Sequence, residues 1–291
     1  MLVTKGGVDF HTHSNRSDGS FSPAEVVEYA KGIGLDAVGL CDHDTTAGHS
    51  EAKEAAKKAG IEFVAGIEFT TVWDREEHHL LGYYMDGSRP TFRQTLVNCI
   101  TERKARIGKA IERLRALGYD VPPDMAERKG GEIDRGDIVW EMIRRGYAES
   151  FEEGYPKFFD ADAPGYVIPY TVGGVEPLTV KRAIEVVHGA GGTAILAHPM
   201  GFMVKEMPRG RIKALVDFGI DGLEVYHPRQ SPEVSDYLLS ACREHGLIVT
   251  GGSDCHGRVK DKPRMGMIRM SLDHLDAVKA RAAEWKKRAG V

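Results

Sequence analysis

Short apolar runs alternate with stretches of helical periodicity over the first 85 residues. Val8-Asp9-Phe10 reads as a strand. Ser22-Pro23-Ala24-Glu25 is a capping box with proline at the first helical position, so a helix starts there and ends near Gly32 and Gly34. Ala37-Val38-Gly39-Leu40-Cys41 is a short apolar strand. Glu51 to Ala59 is helical up to Gly60. Ile61 to Ala65 is the next strand, and Leu80-Leu81-Gly82-Tyr83-Tyr84 another. Such alternation predicts a parallel sheet or barrel.

Residues 90–169 break the rhythm. Thr95 to Leu117 has the spacing of one long helix, and Asp134 to Arg145 and Phe151 to Phe159 that of two shorter ones. Gly118, Pro122, Pro123, Gly130, Gly131, Gly146 and Gly154 punctuate the gaps. Alternation then resumes. Thr179 to Gly189, Ile212 to Phe218, Pro232 to His245 and Leu272 to Arg288 read as helices. Thr193 to Ala197, Gly222 to Tyr226 and Leu247 to Thr250 read as strands. The pattern predicts an α/β fold with a barrel from residues 1–89 and 170–291, and a small helical insertion, 90–169, facing the substrate.

Composition narrows the function classes. No run approaches the roughly 20 apolar residues of a membrane span. Met1-Leu2-Val3-Thr4-Lys5 leads straight into a strand without an apolar signal core, so a cytoplasmic location is expected. A net charge of −4 argues against a basic nucleic-acid coat and leaves room for a local basic patch. Cys41, Cys99, Cys242 and Cys255 show no CxxC spacing and read as buried thiols rather than a disulfide framework. Nothing in the pattern calls for an obligate protein partner.

The chemistry lies where the strands end. His11-Thr12-His13, Asp18, Asp42-His43-Asp44, Glu68, His78-His79, His198-Pro199 and Asp254-Cys255-His256 each adjoin a strand-like run. Taken singly, each reads as a turn, a capping residue or a salt-bridged rim. Their recurrence at one end of successive strands reverses that reading, because the active site of a parallel barrel is built at that face. Alternate residues of an extended segment share a side, so His11 and His13 can grip one ion. Mixed imidazole and carboxylate ligands favour Mn, Fe or Zn over Mg or Ca. Two or three such ions clamp a phosphate oxygen and generate a bridging hydroxide.

The order HxH, SDG, DHDT, GIE, HLLG, AHP, E-V and GSDxH resembles the polymerase-and-histidinol-phosphatase (PHP) superfamily, in particular its stand-alone, TrpH-like (YciV-like) phosphoesterases. The resemblance implies a distorted seven-stranded (β/α) barrel with a helical insertion and a three-metal centre. By motif, His11, His13, Glu68 and Asp254 would hold one ion. Glu68 would bridge to a second held by His79 and His198, and would carry the hydroxide between them. Asp18, His43 and His256 would hold a third. Asp9 would support the His pair and fix an imidazole orientation. His79 is preferred to His78, which is expected to be solvated. Arg135 matches a phosphate-binding arginine of the family. Arg16 is a second candidate, with a solvated loop charge as its other reading. His227 is a candidate general acid, or simply a loop histidine before Pro228.

The implied activity is hydrolysis of a nucleotide phosphoester, in a mononucleotide or a nucleoside 3′,5′-bisphosphate. The alternatives are 5′–3′ exonuclease action on short RNA, amide hydrolysis by the same kind of centre, and a non-catalytic metal-binding regulatory module. Asp160 and Asp162 stand where the family carries cations, which favours a small substrate over long RNA; Lys157 would compensate in part. The basic run from Arg103 to Arg115 is expected to be a solvated helix face.

Overall fold

The computed structural model describes residues 1–125, 134–160, 163–167, 174–200, 207–257 and 263–291. Seven strands lie side by side in chain order: β1 (Val8–Thr12), β2 (Ala37–Leu40), β3 (Glu62–Trp73), β4 (Glu76–Tyr83), β5 (Thr193–Leu196), β6 (Gly222–Tyr226) and β7 (Ile248–Gly251). The stretch after β7 returns to β1, where Thr12 bridges Cys255 and the His13 amide donates to the Cys255 carbonyl at 2.9 Å. The sheet therefore nearly closes into a barrel.

The expected all-parallel order holds for β1–β2–β3 and for β5–β6–β7. It fails at β4, which runs antiparallel to both β3 and β5. The cause is the tight turn at Asp74-Arg75, whose φ angles are 50° and 68°. Two successive left-handed residues match the twist of a two-residue hairpin. β3 is correspondingly long, and beyond Ala65 it leaves β2 to pair with β4.

Nine helices lie among the described residues: α1 (Pro23–Gly32), α2 (His49–Ala59), α3 (Pro90–Ala116), α4 (Arg135–Arg144), α5 (Phe151–Phe159), α6 (Val180–Gly189), α7 (Arg209–Phe218), α8 (Pro232–His245) and α9 (Leu272–Ala289). The capping box at Ser22 forms as expected, with Glu25 closing it. Asp134 and Asp137 build a second box at the start of α4. α3 serves two apolar cores. Its first half buries Phe92 and Cys99 against the barrel core. Its second half buries Ile107, Ile111 and Leu114 with Ile138, Met142 and Phe158 of α4 and α5. α3 thereby joins the two cores. All four cysteines are free and buried, and no described helix is long and apolar enough to cross a membrane.

Asp221 ties the barrel together at the start of β6, at the opposite end of the strand from His227. Its carboxylate accepts from the Ala194 amide at 2.9 Å, Arg281 at 2.8 Å and the Trp285 indole at 3.0 Å, and meets His188 Nε2 at 2.8 Å. Burial opposes its ionisation, but the bonds from His188, Ala194 and Trp285 outweigh burial and hold the carboxyl below its ordinary range. Removing one member of such a buried set costs about 3 kcal/mol, so Asp221→Ala should lower unfolding stability by that amount in urea at pH 7. A depressed carboxyl contributes in full above its unfolded value and loses its contribution as pH falls through the folded one. The gap between wild type and variant should therefore shrink below about pH 4.

Candidate metal centre

Glu68 sits on β3 with no exposed surface. Its two carboxylate oxygens face different strands. Oε2 lies 3.1 Å from Nε2 of both His11 and His13, and 3.3 Å from His43 Nδ1. Oε1 lies 2.9 Å from His79 Nδ1 and 2.9 Å from His198 Nε2. Five imidazoles thus converge on one carboxylate. His11 and His13 do so because they are two apart on an extended segment. His79 does so because β4 is reversed. Its upstream half lies beside the downstream half of β3, with His79 opposite Thr70. That is why His79 precedes its apolar run while the other ligand candidates follow theirs.

Around Glu68 the donors sort into three groups able to hold an ion: His11, His13, Glu68 and Asp254; His43, Glu68 and His79; and His13, Asp18, His43 and His256. His198 lies outside these three groups, with its Nε2 2.9 Å from Glu68 Oε1. Two of these residues sit on left-handed backbone, with φ 24° at His198 and 51° at Asp254. That conformation costs a non-glycine residue roughly 1 kcal/mol or more, so the surrounding structure imposes it.

The electrostatics demand cations. Burial works against ionising Glu68, but His11, His43 and His79 hold its carboxyl well below the ordinary range. Asp18, facing His256 and His43, and Asp254, facing His256 and His13, are depressed in the same way. The rings split. Burial resists protonation of His79 and His256, yet Glu68 pushes the first up to about 9 and Asp18 the second up to about 10. Burial pushes His43 and His198 down. Ring nitrogens of His11 and His13 stand 3.1 Å apart, both aimed at Glu68 Oε2. Nδ1 of His13 and of His43 are buried without a hydrogen-bond partner. Converging lone pairs, orphaned ring nitrogens and depressed carboxylates suit an N/O metal site, so the residues fit divalent metal ions.

The supporting residues differ in part from the sequence expectation. Asp9 does not touch an imidazole. It accepts backbone N–H groups of His11 at 3.3 Å, Ser253 at 2.9 Å and Gly266 at 2.9 Å, and so pins the strand ends. The imidazole partner is Glu224, 3.0 Å from His11 Nδ1, whose other oxygen takes the His198 amide at 2.8 Å. Asp42 fixes the loop carrying Asp18 through Ser14 and Ser17. His78 is not solvated: it is buried beneath Trp73, 3.3 Å from Arg211, and burial pushes it down to about 4. Its alternation with His79 puts it on the far face of β4, against α7.

A cavity of ≈ 340 Å³ opens above the cluster. Its floor includes Asp18, His43, Glu68, His79, His198, Asp254 and His256. Arg135 lines it, with its guanidinium 2.5 Å from Glu77. Arg103 and Arg106 also line it, which corrects the solvated-face expectation for that part of the run. Arg103 bonds Asp44 and Thr70, and Arg106 bonds Glu77 at 2.9 Å. They share a helical face with Ile107, Ala110, Ile111 and Leu114, the periodic signal that gives them away. Trp140, Phe151 and Tyr155 form an aromatic wall. His227 is buried in the lining, its Nε2 3.5 Å from Asp254 Oδ2. Arg16 is not in the cavity lining; it pairs with Glu51 at 2.9 Å on the surface. Lys157 bonds Glu153 and the Tyr147 carbonyl, away from the cluster, and Asp162 lies outside the described residues.

Comparison with known proteins agrees with this geometry. A PHP domain model matches residues 9–120. The 5′–3′ exoribonuclease Rnm of Escherichia coli is 30% identical over 253 residues, 85% of this chain and 84% of that protein. The chain belongs to the PHP family. A 3′,5′-nucleoside bisphosphate phosphatase of Chromobacterium violaceum is 31% identical over 86% of this chain and 87% of its own. A crystal structure from Bifidobacterium adolescentis, assigned as a metal-dependent phosphoesterase, superposes with a TM-score of 0.85 at 29% identity, covering 97% and 98% of the two chains. A structure from Chromobacterium violaceum described as an amidohydrolase, with sulfate bound, gives 0.80 at 26%, covering 95% and 97%. The PHP chain described here is accordingly a hydrolase, a metal-dependent phosphoesterase.

Replacing Glu68 removes the one carboxylate shared by two donor groups. Glu68→Ala should lose at least two ions per chain by elemental analysis while circular dichroism stays native. Full metal content in that variant would contradict the shared role.

Proposed function

We propose that this PHP enzyme hydrolyses a phosphoester of a mononucleotide or a nucleoside 3′,5′-bisphosphate. The observation that carries the reading is the cavity: candidate ligands on its floor, guanidinium groups of the insertion on one side and an aromatic wall of three rings, in a volume within the small-ligand range of roughly 300–1,000 Å³. The floor suits a phosphate, the arginines its charge, and the rings a stacked base.

On this reading His11, His13, Glu68 and Asp254 hold one Mn, Fe or Zn ion, Glu68, His79 and His198 a second, and Asp18, His43 and His256 a third. When bound, the ions polarise phosphoryl oxygens and lower the pKa of water. The remaining work falls to the chain. Arg135 keeps the phosphate over the floor. Glu224 turns His11, and Asp9 keeps the ends of the first and last strands in register. His227 supplies the proton for the leaving oxygen. Its Nε2 is buried at the cavity, 3.5 Å from Asp254 Oδ2; giving a proton from there requires the imidazolium, in which Nδ1 gives up the bond it accepts from the Arg229 amide N–H at 3.2 Å, and leaves a neutral ring protonated on Nδ1.

A second reading, 5′–3′ exonuclease action on short RNA, is favoured by the Escherichia coli relative and by a Haemophilus influenzae 5′–3′ exoribonuclease, 32% identical over 85% of this chain. Initial rates of Mn-loaded protein on 3′,5′-bisphosphoadenosine and on a 5′-phosphorylated oligoribonucleotide separate the two. The first reading expects phosphate release from the nucleotide at the higher kcat/KM, and faster turnover of the oligomer would reject it. His227→Asn should lower kcat by roughly 10²–10⁴ on the natural ester and much less on 4-nitrophenyl phosphate, whose leaving group needs no proton. Equal losses on both would remove His227 from the acid role.

A further inference from the structure

Glu77 joins the candidate centre to the insertion. It lies two residues before His79 on β4 and is 1% exposed. Its Oε1 is 3.2 Å from His79 Nε2 and 2.5 Å from Arg135 Nη2. Its Oε2 is 2.9 Å from Arg106 Nη1 and 3.3 Å from Arg135 Nη1. His79 turns its other nitrogen, Nδ1, toward Glu68 at 2.9 Å. One buried carboxylate therefore touches a ring of the centre and two guanidiniums that arrive on different helices, α3 and α4.

We propose that Glu77 is a positioning residue acting on both halves of the reaction site, fixing His79 for the ions and Arg135 with Arg106 for the substrate phosphate. The proposal rests on the functional reading above, in which His79 ligates and Arg135 binds phosphate. Three arguments support it. A carboxylate behind a ligating imidazole sets which nitrogen carries the proton and how the ring is turned. With Glu77 accepting from Nε2–H, the lone pair is left on Nδ1, the atom facing Glu68. Glu77 holds the Arg106 and Arg135 guanidiniums side by side at the cavity and offsets their mutual repulsion, with Glu102 a second partner of Arg106 at 3.3 Å. Finally, a buried ion cluster is a poor choice if its only role is to dock the insertion, since apolar side chains of similar volume do so at least as well. An apolar residue cannot hold an imidazole tautomer.

The test uses the full chain loaded with Zn²⁺. Metal affinity is read by chelator competition, and inorganic phosphate affinity by calorimetry. Glu77→Gln should weaken one metal position by roughly 10–100-fold and phosphate by about tenfold. Arg135→Lys should weaken phosphate, and the double variant should lose less than the two single losses combined, because Glu77 acts on phosphate through Arg135. Additive losses, or unchanged metal and phosphate constants in Glu77→Gln, would overturn the proposal. Wild-type protein gives an independent readout if that variant does not fold. Long-range ¹H–¹⁵N spectra of the Zn-loaded chain should show His79 protonated on Nε2; protonation on Nδ1 overturns it. Wild-type protein that binds neither Zn²⁺ nor phosphate would instead sink the functional reading itself, and the proposal with it.

Discussion

Glu68 places a fully buried negative charge where five imidazole rings meet. An ion taken out of water costs several kcal/mol unless charge and hydrogen bonds compensate it. No lysine or arginine among the described residues is paired with Glu68; its partners are all titratable rings. Without other cations, protons on those rings supply the compensation: burial resists it, yet Glu68 raises both His11 and His79. Divalent ions supply it better, because one ion satisfies several donors at once. The centre is thus a place where folding creates a need that metal binding meets.

The barrel serves that need through one departure from regularity. Were β4 parallel to its neighbours, His79 and Glu77 would sit at the opposite end of the sheet. The Asp74-Arg75 hairpin brings both to the mouth. Glu77 then meets Arg106 and Arg135, and Asp44 meets Arg103, so the insertion is clamped over the cluster by buried ion pairs. α3 is one continuous helix shared by two cores, and Arg103 and Arg106 on its inner face line the cavity. The cavity is a composite: the barrel offers the donors on its floor, and α3, α4 and α5 offer guanidiniums and aromatic rings.

Much of this is legible in the chain. Strands announce themselves by apolar runs, and a histidine or carboxylate directly after such a run betrays a parallel barrel's active end. Helices announce themselves by caps, as at Ser22. What periodicity does not carry is strand direction, so the reversal of β4 was not foreseeable from alternation alone. Nor does it carry long-range partners. Glu77 looks like an ordinary strand polar residue, and although Glu224 opens the E-V motif, only the fold brings the two carboxylates to His79 and His11. Asp9 stands near the His pair in sequence, and its carboxylate went to backbone amides that turn up 244 and 257 positions later. His78 and His79 separate correctly by alternation, but the far face of β4 proved to be packed against Arg211 rather than open to water.

The central claim is that the side chains around Glu68 bind a compact set of divalent ions. Anomalous diffraction from crystals of Mn²⁺-loaded protein locates such ions directly. The account predicts at least two peaks within bonding distance of Glu68, one shared with His11 and His13 and one with His79. Manganese found only at surface carboxylates, with none between Glu68 and those rings, would contradict it.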